Sequence, residues 1–419
     1  MASRGTPIAA DRSVPALIVK FGDYPLHHGG VGAIRSLGRL GVPMFAVTED
    51  RWTPAAVSRY LHRGFVWPTT GTERPERLVE GLLGIGRRIG RPTLLIPTDE
   101  EAAVLIAEQA DALRARFLFP RVEPELPRRL ASKQGLHQLC VEHGVPSPAA
   151  AFPDSYEDIA RYAAAARFPV VAKNREAFER RRKPVVHGTT RISGPRELLE
   201  LAREWGPRPG VIIQEYLPRE EAEDWIVHAY FDAENSALSM FTGVKVRSWP
   251  PHAGMTANAY VVDNPELAEM SAQFIKRIGF SGIVDLDWRY DRRDGLYKLL
   301  DFNPRMGAQF RLFENEWGVD VVRAQHLDLT GRKVPEGEQL AGRRFIVENI
   351  DLPAYAAYRR SGYTTPHAPA RASSTELAWI ARDDLKPFFT MLVRFVRPGA
   401  RHLLQLWRSR RSRRRAIAK

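Results

Sequence analysis

Two neighbouring segments, GIVDLDWRYD and LYKLLDFNPR, carry acids at a spacing of two and are joined by the turn-like RRDG. Side chains alternate along a strand, so Asp285 and Asp287 share one face of the first segment, and Asp301 and Asn303 share one face of the second. Antiparallel pairing brings Asp287 beside Asp301 and Asn303. Two carboxylates and an amide oxygen with no counter-charge between them repel unless a cation neutralises them. Hard oxygen donors of this kind suit magnesium, which keeps several waters and takes phosphate oxygens as further ligands. Arg305 lies two residues beyond Asn303, projects the same way, and can grip a phosphate or carboxylate through two parallel hydrogen bonds. Turn capping and edge solvation would explain Asp285 alone. They do not explain the set, because KLL is an apolar run that gives way to DFNPR where a core strand would continue. Upstream, TGVKVRSW places Lys245 and Arg247 on one face, where they could receive a substrate carboxylate or form a basic surface ladder.

These strands need a scaffold, and the pattern predicts two kinds. From PALIVKFGD to EAAVLIAEQADALRARF, short apolar runs of strand length alternate with helical stretches such as GAIRSLGRLG, which has Ile34, Leu37 and Leu40 at helical spacing. That alternation predicts a parallel α/β sheet with both faces covered. HHGGVG resembles a glycine-rich nucleotide loop but lacks the GxGxxG spacing. His27, His28, Thr98, Asp99 and Glu100 fall at strand ends, where open α/β sheets bind ligands; helix capping by Thr98 and Asp99 is the plainer alternative. A Pro-rich stretch from Pro120 to Pro127 marks a boundary. Beyond it come the helix ASKQGLHQLCVEHG, the strand FPVVAK, a polar Arg-rich stretch with Arg180, Arg181 and Arg182, and then the strands VIIQEYL and WIVHAYFD.

At 419 residues the chain is long enough for two or three domains. Its 44% hydrophobic and 26% charged residues match a globular protein, and no apolar run is long enough to span a membrane. The N-terminus has no signal-peptide pattern, which predicts a cytoplasmic protein. Cys140 is the only cysteine, excluding an intramolecular disulfide and a cysteine-rich zinc site; its helical spacing with Leu136, Leu139 and Val141 predicts a buried structural thiol. The net charge of +13 is local: from Lys386 onward there are eleven basic residues and no acid, so the other 51 basic residues nearly balance all 49 acids. Within that tail, Phe388, Phe389, Leu392, Phe395, Leu403, Leu404 and Trp407 interleave with arginines. This mixture predicts a helix lying on an anionic membrane, with a helix packed on the body as the alternative. Nucleic acid is the weaker reading, since no binding fold surrounds the basic run.

Taken in order, these segments resemble the ATP-grasp superfamily, in its carboxylate–amine ligase branch. KLLDFNPRMG is similar to its last metal-binding strand and GIVDLDWRYD to the preceding one. FPVVAK resembles the strand that ends in an ATP-phosphate lysine, VIIQEYLP the adenine-binding hinge, and LASKQGLHQLCVEHGVPSP the opening helix with another ATP-contacting lysine. The resemblance covers roughly residues 125 to 330. It implies Lys133 and Lys173 on the ATP phosphates, Gln214, Glu215 and Leu217 at the adenine hinge, and Asp224 on the ribose. It implies Asp287, Asp301 and Asn303 on magnesium, with manganese a possible substitute, and Arg305, with Lys245 and Arg247 nearby, in catalysis. The expected fold is an N-terminal parallel α/β domain (1–125), an ATP-grasp domain of two α+β subdomains clasping ATP (126–335, lid about 140–215), a C-terminal extension (336–385) and the basic tail (386–419). The expected activity is ATP-dependent coupling of a carboxylate to an amine through an acyl phosphate. A thioester-forming ligase, a carboxylase and a non-catalytic nucleotide-binding regulator are the alternatives. The polar stretch NREAFERRRKPVVHGTTR departs from the family's glycine-rich phosphate flap; it reads either as a lid over the triphosphate or as a solvated loop.

Overall fold

The structure is a computed structural model that describes residues 8–175, 185–186, 188–251, 254–362 and 365–395. Its first unit contains β1 (Ala16–Val19), α1 (His28–Gly38), β2 (Met44–Thr48), β3 (Leu61–Val66), α2 (Pro75–Ile89), β4 (Thr93–Pro97), α3 (Glu100–Glu108), the short α4 (Ala110–Leu113) and β5 (Phe117–Leu118). The five strands form a wholly parallel sheet in the order β3-β2-β1-β4-β5. All four residues of β1 are buried, as a strand covered on both faces requires. Leu17 and Val19 face a core built with α2 and α3, whereas Ala16 and Ile18 face one shared with α1.

Next come α5 (Leu126–Ala131), α6 (Lys133–Glu142), β6 (Ala150–Ala151), α7 (Tyr156–Ala165), β7 (Val170–Asn174), β8 (Thr190–Ile192), α8 (Pro195–Glu204) and β9 (Val211–Glu215). A four-stranded antiparallel sheet in the order β6-β9-β7-β8 packs against α7 and α8 through Ile159, Val170, Leu198 and Ile213. The remaining elements are β10 (Ala222–Phe231), β11 (Ala237–Trp249), β12 (Met255–Val261), α9 (Pro265–Arg277), β13 (Gly282–Asp291), β14 (Leu296–Asn303), α10 (Val321–Leu329), β15 (Arg343–Ile346), α11 (Glu348–Ser361) and β16 (Ser374–Leu377). A seven-stranded sheet in the order β14-β13-β10-β11-β12-β15-β16 holds them together. The segment expected as an extension thus supplies two strands of this sheet, and residues 386–395 form a last helix.

HHGGVG has a packing explanation. His27 caps α1 through Nδ1, which accepts from the Gly30 N–H at 3.0 Å. A Cβ on Gly29 would lie 2.7 Å from the Ala308 Cα, and one on Gly32 would lie 3.0 Å from the Arg311 side chain. The glycines let α1 touch the loop that follows β14, which couples the first unit to the β13–β14 pair. Gly29→Val is expected to destabilise the fold by about 1–3 kcal/mol, as overpacking does, measured as a lower urea midpoint at unchanged m-value.

The same helix is fastened to the end of the chain. Arg35, buried, donates to Asp384 Oδ2 at 3.0 Å and to the carbonyls of Ala378, Trp379 and Asp384. Arg39 makes a two-pronged pair with Asp383 at 2.9 Å.

Candidate active site

Strands β13 and β14 pair antiparallel, with Asp287 opposite Asp301 and Asp285 opposite Asn303. The Asn303 amide NH2 donates to the Asp285 carbonyl at 3.1 Å, which leaves its oxygen as the donor atom for a cation. Burial pushes Asp287 up, as do the charges of Asp285 and Asp301, against the pull of Lys245 at 2.5 Å. Burial pushes Asp301 the same way, but Lys133 at 2.5 Å, together with Lys173 and Arg305, holds it below the usual carboxylate range. Among the described residues no three His, Cys, Asp or Glu side chains converge. The available donor set is therefore two carboxylates and an amide, which fits magnesium completed by phosphate and water oxygens rather than a structural zinc.

A cavity of about 520 Å³ opens between this pair of strands and the four-stranded sheet. Lys133 enters from the first turn of α6, whose N-cap is Ser132, and Lys173 from β7. Burial and the nearby Lys133 ammonium push Lys173 down to about 8. Two crowded cations beside two carboxylates make a pocket suited to a polyanion carrying a divalent cation.

Gln214, Glu215 and Leu217 line the same cavity at the end of β9. The Glu215 side chain is paired with Arg293 at 2.7 Å and Lys298 at 3.5 Å. Asp224 lines it too, paired with Arg289 at 2.7 Å. Lys245 and Arg247 do not converge. Irregularities on both sides of Arg247 turn it to Asp351 of α11, at 2.8 and 2.9 Å, while Lys245 stays in the cavity. Arg305 reaches past the cavity to Glu100 at 2.6 Å and Asp285 at 3.1 Å.

Of the strand-end residues of the first unit, Glu100 pairs with Arg305, and His27 is pushed down by burial first and also by the Arg305 charge. Asp99 caps α3 by accepting from the Ala102 N–H, and it also accepts from Phe21 and Gly22. His28 is buried, and burial pushes it down to about 4. Cys140 is buried with Leu136 and Leu139, its thiol pushed up to about 12, whereas Val141 points to solvent on the other side of α6. The Arg-rich stretch falls largely at residues 176–184, and most of the tail at 396–419, outside the described residues.

Three contributors escaped the motif reading. Arg289 continues the alternation of Asp285 and Asp287, so its place was available from spacing. Arg191 lies over the Tyr216 ring at 4.7 Å beside the hinge, and no local pattern announces it. His228, fully buried on β10, stands 2.9 Å from Asp285. Gly307 permits that approach: a Cβ there would lie 2.4 Å from His228 and 2.6 Å from Asp285.

A parallel α/β unit followed by two sheets enclosing this cavity defines the class: the chain has the ATP-grasp fold. It is similar to a D-aspartate ligase of Enterococcus faecium, at 25% identity over 284 residues, or 62% of this chain and 65% of that one. The match thus spans less than two thirds of the ligase. Among solved structures, a biotin carboxylase of Campylobacter jejuni in complex with β-γ-ATP superposes with a TM-score of 0.58 at 12% identity, covering 79% of this chain and 74% of the other. An L-amino acid ligase of Bacillus licheniformis superposes with a TM-score of 0.55 at 14% identity, over 76% and 75%. No family model matches the chain.

Proposed function

We propose that this protein is an ATP- and magnesium-dependent ligase that joins a carboxylate to an amine. The observation that carries the proposal is the meeting of Lys133, Lys173, Asp287 and Asp301 in one cavity. A regulator that only bound nucleotide would have no need of the facing carboxylates. The similarity to a D-aspartate ligase favours an amino acid as one substrate, over thioester formation or carboxylation.

In this reading residues 126–335 bind ATP, with about 140–215 as the lid, 1–125 closing the substrate side and 336–385 completing the sheet. Lys133 and Lys173 neutralise the phosphates, and the backbone after β9 reads the adenine edge. Asp287, Asp301 and Asn303 would hold magnesium, or manganese in its place, which supplies positive charge against the phosphate oxygens. A carboxylate oxygen of the substrate attacks the γ-phosphorus, ADP leaves, and an acyl phosphate forms. The amine then attacks the acyl carbon, phosphate departs and the amine loses a proton. Arg305 steadies the transferring phosphoryl and the substrate carboxylate.

The test is ADP release with paired carboxylates and amines, D-aspartate included, with hydroxylamine trapping of the acyl phosphate. Substrate-dependent hydroxamate is expected; ADP release that no carboxylate stimulates would overturn the reading. Lys173 adds a pH dependence. Below about pH 8 it is charged and attracts phosphate; above, it is neutral until nucleotide restores its proton. The KM for ATP is therefore expected to rise as pH climbs through 8, and Lys173→Arg, charged throughout, should flatten the rise.

A further inference from the structure

We infer that the outer face of helix 386–395, together with Trp52, docks the protein on an anionic membrane surface. One side of the helix is committed to the body: Met391 is buried, Phe388 packs on the core and Asp384, just before it, holds Arg35. The other side is apolar and exposed. Phe389, Leu392 and Val393 fall at the i, i+3, i+4 spacing of one stripe, and Leu385 precedes them. Arg394 pairs with Asp50 and donates to the Trp52 carbonyl at 3.0 Å, which fixes the Trp52 loop beside the end of the helix. Trp52 itself is 68% exposed and Phe389 57%. An exposed apolar stripe marks an interaction surface, and an exposed Trp suits the lipid headgroup boundary.

Charge selects the partner. The sequence beyond the helix continues with Leu403, Leu404, Leu406 and Trp407 among arginines, and from Lys386 onward it carries eleven basic residues and no acid. A second copy seated on the stripe would bring two such segments together, whereas an anionic bilayer meets both the apolar face and the charge. No described helix is long and apolar enough to cross a membrane, so the contact is interfacial. Trp52 lies three residues after Glu49, at the C-terminal edge of the parallel sheet, so docking sets that edge toward the bilayer.

The test is flotation of the full chain with phosphatidylcholine vesicles, with and without phosphatidylserine, at low and high salt. Binding is expected only to the phosphatidylserine vesicles and to weaken with salt. Phe389→Ser/Leu392→Ser and Trp52→Ser should each lower the bound fraction about tenfold at unchanged melting temperature and ATP turnover. A full chain that stays unbound at low salt, or apolar variants that float as well as the parent, would overturn the inference. So would a dimer, seen by sedimentation velocity, that the double variant dissociates while vesicles bind neither form.

Discussion

Asp301→Ala is expected to lower ATP turnover by three orders of magnitude or more, about 4 kcal/mol of lost transition-state stabilisation. Asp301 faces Asp287 across the β13–β14 pair and holds Lys133 at 2.5 Å, so in the proposed function it would serve the metal and one phosphate lysine together. Removing it also leaves Lys133, only 9% exposed, without its carboxylate, and an uncompensated buried charge costs stability by itself. The decisive comparison is therefore Asp301→Asn, which keeps the shape and a hydrogen-bond acceptor. If it folds with the parent's melting temperature and yet turns over ATP at the parent's rate, Asp301 has no part in the metal site. Asn303→Ala should give a loss of similar size, because in the proposed site its oxygen is the third donor.

Lys173→Met should raise the KM for ATP by about a hundredfold, the loss of roughly 3 kcal/mol of charge-assisted contact. The nucleotide-free protein should move the other way. In the folded state this ammonium is held at about 8 against an ordinary 10.5, so folding works against its protonation. The penalty is full below pH 8 and fades as pH rises toward 10.5. Allowing for partial solvent access, methionine at this position should stabilise the free protein by on the order of 2 kcal/mol at neutral pH. Isothermal titration with a non-hydrolysable ATP analogue and thermal melts at pH 7 and pH 10 check both halves. Unchanged affinity would remove Lys173 from the phosphate site.

The acids of β13 and β14 were legible from their period-two spacing in sequence, but the hairpin alone would set Asp287 opposite Leu300; a register shift after the Trp288–Leu299 pair skips Leu300 and brings Asp301 opposite Asp287. The first unit was legible for a similar reason, since strands buried on both faces stay apolar throughout. Arg247 shows where spacing fails: an irregularity in β11 is invisible in TGVKVRSW, and it turned the guanidinium from the cavity to Asp351. Arg305 does reach Asp285 of β13, but Glu100, its other partner, lies 205 residues away in sequence. His228 beside Asp285 is a cross-strand fact of the same long-range kind. HHGGVG gave a misleading hint, because glycine marks close approach of any backbone and the neighbour here is Ala308.

The fastening of Arg35 has a consequence for synthesis on the ribosome. The carbonyl and carboxylate of Asp384 that hold its guanidinium are 349 residues further along the chain. At ordinary elongation rates that separation is roughly 20–70 s. During this interval the first unit has emerged, but the groups that satisfy the core of α1 have not been made. It must either wait partly open or carry an unpaired cation against apolar neighbours, so its completion is gated by the last stretch of translation. A nascent chain stalled before residue 378 is expected to leave α1 protease-sensitive, and one extended beyond residue 395 and clear of the exit tunnel to protect it.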